Sequence, residues 1–397
     1  MRNVLIFVKI ECMKDISIYF QPILTESENR NSTIGSVIST NTKNNFPDLV
    51  KGAIAFFVVP EFRNGGVDSA PNNDFRFREE FYQLHIGENW KMQLVDLGDI
   101  IPGKTVEDTY FAIRQVTAEL VKAQVIPLVI GGSQDLTYAM YQGYEALEQM
   151  INVMSIDHKL DLGEPDEEIS KDAYVNKLLM HRPCFLFNYA TLGYQTPLVK
   201  HEQLDLFNRL YFDAVRLGEF NADFKSAEPL LRNTDLLSID LQAIRASDFA
   251  GKYFHQPNGF FNHEICQLAK YAGISDKLTA IGIFNCYFEG TTLKEHQQIA
   301  QIMWYFIEGV SQRFGDFPVG SKKAYTKFTV YFEKDAHEII FYKSNVSARW
   351  WMEVPYPPVD NVKFERHHMV PCNKEDYDFA LVGEIPDLWW KTYQKLG

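Results

Sequence analysis

The chain is poor in cysteine. Five occur among 397 residues, namely Cys12, Cys184, Cys266, Cys286 and Cys372, an odd number with no C-x-x-C pair. That excludes a disulfide framework and a cysteine-built zinc site, and it points to a reducing, cytoplasmic setting. Long apolar runs are also missing: no segment approaches the roughly 18–20 residues a membrane helix needs. Val4 to Val8 is apolar but is interrupted by Lys9 and Glu11, and no small-residue cleavage site follows. Met13 opens a segment that reads as a natural start, which makes the first dozen residues a matter of start-codon choice. An excess of positive charge is lacking too. Lys and Arg number 39 against 52 Asp and Glu, a formal charge of −13. This argues against a nucleic-acid backbone or an anionic membrane surface as the main partner. There is no internal repeat and no low-complexity tract.

Apolar material is plentiful, at 46% hydrophobic and 14% aromatic residues, enough for a large core. It falls into short continuous runs that suit strands buried on both faces: Ala53 to Val59, Leu94 to Asp99, Val125 to Ile130, Ile151 to Ile156, Leu236 to Ile239 and Thr279 to Phe284. Between them, 105–123 and 135–150 carry helical spacing. Strands alternating with helices imply an α/β protein, a three-layer α/β/α sandwich around a mainly parallel sheet. Residues 1–50 read as an N-terminal arm, 51–320 as the α/β domain and 321–397 as a C-terminal extension. Within the extension, Thr326 to Phe332 and Glu338 to Tyr342 alternate as a β-hairpin with a longer loop at Lys334-Asp335-Ala336. The pairs Trp350-Trp351 and Trp389-Trp390 read as core.

Gln134, Asp157 and Asp240 each stand just past the C-terminal end of a buried strand. Ligands bind at that edge of an open parallel sheet, so the three imply one shared cleft. They sit in Gly131-Gly132-Ser133-Gln134, in Ser155-Ile156-Asp157-His158-Lys159-Leu160-Asp161 and in Ser238-Ile239-Asp240-Leu241-Gln242. In order and spacing these segments resemble the motifs of the ureohydrolases: arginase, agmatinase and formimidoylglutamase. That family carries Gly-Gly-x-His, Asp-x-His-x-Asp and Asp-x-Asp, and binds two manganese ions. Leu97-Gly98-Asp99 and Asn258 to Glu264 resemble further family segments, so the likeness runs over roughly residues 50–320.

The resemblance implies bridging positions for Asp157 and Asp240, a first metal position at Asp161 and Gln134, and a second at Lys159 and Gln242. Three of the six ligand positions are altered. A protonated lysine has no lone pair to offer a metal, so the second position is expected to be lost. The Lys159 ammonium is expected to point at Asp157 and Asp240, with Arg245 as further charge compensation. Gln134, Asp157, Asp161 and Asp240 would form a relict, oxygen-only site, holding no cofactor or one weakly bound Mn2+ or Mg2+. His158, between two ligand positions, is expected to point away from Asp157 as a structural histidine. His367-His368 reads as a surface loop, and Gly131-Gly132 is insufficient for a phosphate cradle.

The leading expectation is a non-catalytic relative with a binding or scaffolding role, meeting a protein partner or further copies of itself through the C-terminal extension. The alternatives are a divergent hydrolase of guanidino or amidine C–N bonds using one metal ion, and a small-molecule sensor.

Overall fold

The computed structural model describes residues 13–23, 31–66, 75–318, 321–332, 337–357 and 364–397. The first dozen residues and the loop at Lys334-Asp335-Ala336 lie outside them. The short strands β1 (Phe20–Gln21) and β2 (Ser39–Thr40) precede the principal strands. These are β3 (Ile54–Val59), β4 (Leu94–Ile100), β5 (Ile126–Gly131), β6 (Ile151–Ile156), β7 (Leu186–Tyr194), β8 (Asp213–Arg216), β9 (Leu236–Asp240) and β10 (Ala280–Phe284). They form one ten-stranded sheet in the order β1-β4-β3-β5-β10-β9-β6-β7-β8, with β2 also on β4. Strands β3 to β10 run parallel, and β1 joins β4 antiparallel.

Successive side chains of a strand enter opposite faces, and here both faces are covered. In β3, Ile54, Phe56 and Val58 pack with the helices Phe77–Gln83, Asn262–Ile274 and Leu293–Ser311. Ala55, Phe57 and Val59 pack with the helices Val106–Lys122, Leu136–Gln142 and Tyr174–Met180 on the other side. This is the three-layer α/β architecture expected from the continuous apolar runs. The helix after β5 is shorter than its periodicity suggests. It gives way to a 3-10 turn at Gly143, where a Cβ would lie only 3.0 Å from the Thr117 side chain.

The C-terminal extension forms a second, antiparallel sheet of β11 (Tyr325–Phe332), β12 (His337–Ser344), β13 (Trp350–Glu353) and β14 (Met369–Cys372), in that order. Buried polar contacts join it to the first domain. Arg232 donates to the carbonyls of Trp350 at 2.9 Å and Cys372 at 3.1 Å, and lies 4.6 Å over the Trp351 ring. Arg366 pairs with the buried Asp235 at 2.6 Å, and Lys277 donates to the Arg366 carbonyl at 3.2 Å. His367 stacks on Phe187 with ring centroids 4.0 Å apart and is buried. The expected surface position for this histidine is therefore corrected. An apolar shelf at the start of β7 takes it into the core.

Removing residues 321–397 would strip Arg232 and Lys277 of these acceptors and uncover the apolar surface at Phe187 on which the extension packs. A fragment ending at residue 320 is expected to aggregate or to be rapidly proteolysed. Arg232→Ala in the full chain should cost about 1.5–3 kcal/mol, the usual worth of hydrogen bonds to a charged group. Urea unfolding measures this directly, and a loss below about 1 kcal/mol would show that the contacts do not fasten the extension.

Candidate functional site

Four adjacent strands, β5, β10, β9 and β6, bring their C-terminal ends together. Gln134 lies just past β5, Asn285 directly follows β10, Asp240 ends β9 and Asp157 directly follows β6. All four are buried. The His158 imidazole enters this cluster: its Nδ1 is 3.2 Å from Asp157 Oδ1 and 3.5 Å from Asp240 Oδ2. Asn285 donates from Nδ2 to Asp240 Oδ1 at 2.7 Å, and its Oδ1 accepts from the Gln134 amide at 3.2 Å. Asp161 adopts a φ of 46°, a left-handed conformation that Asp tolerates better than most residues. Its carboxyl hydrogen-bonds to Asp157.

Burial in low dielectric disfavours charge, so each group's state depends on its partners. Burial and the neighbouring Asp157 charge push the Asp161 carboxyl well above the usual carboxylate range. Burial also acts on Asp157, but the imidazole of His158 outweighs it and holds that carboxyl below its ordinary value. Asp240 ends above its ordinary value through burial and the Asp157 charge, against the pull of His158 and Asn285. Burial alone would lower His158; Asp157 and Asp240 reverse this and lift it to about 9. At neutral pH the internal cation is the His158 imidazolium.

Three expectations are thereby corrected. His158 points toward Asp157, because the chain bends at His158-Lys159 and strand alternation does not apply there. Lys159 turns outward instead and pairs with Asp172 at 2.8 Å; only its backbone amide reaches Asp157, at 2.9 Å. Arg245 pairs with Asp248 at 2.9 Å and lies 3.5 Å over the Phe261 ring, so it compensates a different carboxylate. Asn285 is a site residue that the motifs did not reveal. The signal was available, since it stands at the end of a recognised strand as Asp157 and Asp240 do.

A second metal ion does not fit the residues at the position the resemblance assigns to it. The Lys159 ammonium is held by Asp172, and the Gln242 side chain donates to the Tyr253 carbonyl at 2.9 Å and accepts from Lys171 at 3.3 Å. At the first position, Gln134 Nε2 is directed at Tyr174 and Ser238, 3.3 Å from each hydroxyl. The side chains that remain together are Asp157, His158 and Asp240, whose ligand atoms lie within 4.8 Å of one another.

A histidine whose value is raised on folding adds stability that is full below its unfolded value, near 6.5, and lost as pH rises through about 9. The interval corresponds to about 3 kcal/mol as an upper bound. Urea unfolding in chelator between pH 6.5 and 10 should show this loss for the native chain, and His158→Gln should largely remove it. Superimposable pH dependences would refute the assignment of His158 as the internal cation.

Residues 64–284 match the family model described as the arginase family. A formimidoylglutamase of Halobacterium salinarum is 34% identical over 70 residues, covering 17% of this chain and 23% of that protein, so the match spans about a quarter of that relative's length. Among solved structures, the Bacillus subtilis formimidoylglutamase is similar with a TM-score of 0.63 at 16% identity, covering 75% of this chain and 98% of that one. The Trypanosoma cruzi formiminoglutamase with Mn2+ gives 0.57 at 16% identity, with 66% and 94% covered. An arginase from Medicago truncatula gives 0.52 at 14% identity, with 64% and 86% covered. At such identities the structural likeness is one of fold, and among the described residues no helix is long and apolar enough to cross a membrane. The family model, however, matches more than half of the 397 residues, and it spans the strand ends that build the cluster: this chain belongs to the arginase family.

Proposed function

We propose that this arginase-family protein has lost dinuclear hydrolysis and acts as a binding or scaffolding protein. One observation carries the reading: Lys159 stands where the motif calls for a ligand, and its side chain is tied to Asp172. Hydrolysis of a guanidinium or amidine carbon in this way needs two ions, which lower the pKa of a shared water and clamp the tetrahedral intermediate. A lysine, together with the engaged Gln242 side chain, supports a site unable to hold that pair. The contact surface we assign to the binding role is the end of the helix Lys374–Leu381 of the extension, where Phe379, Leu381 and Val382 are exposed. The competing reading is a hydrolase using a single ion, favoured by the surviving cluster of Asp157, His158 and Asp240.

Turnover with added Mn2+ on arginine, agmatine and formimidoylglutamate separates the two. No release above the uncatalysed background is expected. Turnover that disappears in Asp240→Asn would overturn the non-catalytic reading in favour of the single-ion hydrolase.

A contact between copies through the extension is tested by sedimentation velocity. Leu381→Asp with Val382→Asp should convert an assembled species to the monomer without changing the melting temperature by more than about 1 °C, roughly the effect of 1 kcal/mol in a chain of this size. An equal distribution of species in the native and substituted proteins would exclude this surface as the self-contact.

A further inference from the structure

We propose that the groove between the helices Val106–Lys122, Leu136–Gln142 and Tyr174–Met180 is a binding site for a small molecule that joins one aromatic ring to one carboxylate. The site shares no residue with the cluster at the strand ends and does not depend on whether that cluster retains chemistry.

The three helices border a cavity of about 320 Å³, within the size range of small-molecule sites. Tyr110 and Phe111 stand four and three residues before Arg114, so the three share one face of the first helix. Tyr138 comes from the second helix, Lys177 from the third and Ile169 from the segment before it.

The aromatic walls are fixed by bonds to residues that do not line the cavity. The Tyr110 hydroxyl donates to the buried Asp135 and accepts from Asn64 Nδ2 at 2.9 Å. The Tyr138 hydroxyl meets His181 Nδ1 at 3.1 Å, and the two tyrosine rings pack edge to face with centroids 6.5 Å apart. With their hydroxyls engaged, the tyrosines offer ring surface to an occupant. Phe111, which is 48% exposed, adds a third ring. Rings held in place before binding lower the ordering cost of capture.

Two cations line the same cavity. The Arg114 guanidinium lies 5.3 Å from the Phe111 ring centroid, and among the described residues neither Arg114 nor Lys177 forms an ion pair. Both are partly exposed. Among the described residues Glu107 is the one carboxylate of the lining, so the cavity carries one net positive charge. That balance matches a monoanionic carboxylate, which a guanidinium fork and an ammonium bind through charge-assisted hydrogen bonds. A phosphate monoester bears close to two negative charges at neutral pH and would leave the cavity negative.

The test is a ligand-observed NMR titration of the full chain with 3-phenylpropionate, 3-phenylpropylamine and 2-phenylethyl phosphate. 3-Phenylpropionate should bind with a Kd on the order of 0.1–1 mM, as its size allows. The amine and the phosphate should each bind at least about tenfold more weakly, and Arg114→Gln combined with Lys177→Gln should weaken 3-phenylpropionate by a similar factor, the usual worth of a hydrogen bond to a charged group. No binding of 3-phenylpropionate up to about 10 mM would overturn the site. Unchanged affinity in the double variant would place the ligand elsewhere and overturn it too. Equal binding of the amine would overturn the carboxylate as the recognised group, and tighter binding of the phosphate would overturn the charge assignment. Circular dichroism verifies that the double variant is folded. Should it fail to fold, Phe111→Ala gives a second readout: a several-fold loss is expected, and an unchanged Kd would overturn the proposal.

Discussion

The site depends on one constraint: carboxylates buried this deeply cannot remain charged without a cation. Asp157 and Asp240 are both almost fully buried, and Asp161 lies beside them. The chain meets the constraint in two ways. His158 supplies a positive charge between Asp157 and Asp240, and burial beside the Asp157 charge raises the Asp161 carboxyl well above its ordinary value, which favours its uncharged form. The remaining contacts follow from this arrangement. Asn285 and the backbone amides of Lys159 and Gln242 orient the carboxylates, while the Lys159 side chain is released to a different partner outside.

The fold makes this concentration of polar groups possible. Because both faces of the parallel sheet are covered by helices, the strands are mostly apolar, and the polar residues of the cluster stand at their ends. Four neighbouring strands end at one edge, which brings together residues far apart in sequence, such as Gln134 and Asn285. The opposite side of the domain is fastened differently. There the C-terminal sheet docks through Arg232, Arg366 and His367, so the extension completes the core.

Within the arginase family, the chain keeps the architecture and parts of three motifs, with Lys159 and Gln242 at two of the positions where those motifs carry ligands. Fold and chemistry separate readily because they rest on different residues. The sheet needs apolar strand interiors, whereas the metals need a few side chains past the strand ends. A substitution such as lysine at position 159 therefore leaves the sheet intact, provided the ammonium finds a partner at the surface, as it does in Asp172.

Much of this was legible in the chain itself. The strands β3, β4, β5, β6, β9 and β10, the shared cleft at Asp157 and Asp240 and the C-terminal hairpin follow from apolar periodicity and motif spacing, whereas β7 and β8 were not read from it. These are local patterns, imposed by the geometry of strands and helices. The directions of His158, Lys159 and Arg245 are not local. They depend on a bend after β6, on Asp172 and on the Asp248–Phe261 corner, each brought near by folding. The sequence by itself determined that Asp157, Asp161 and Asp240 would meet beyond the strand ends. The tertiary structure decided which cation would stand among the carboxylates, because only the packed backbone establishes which side chain the bend turns inward.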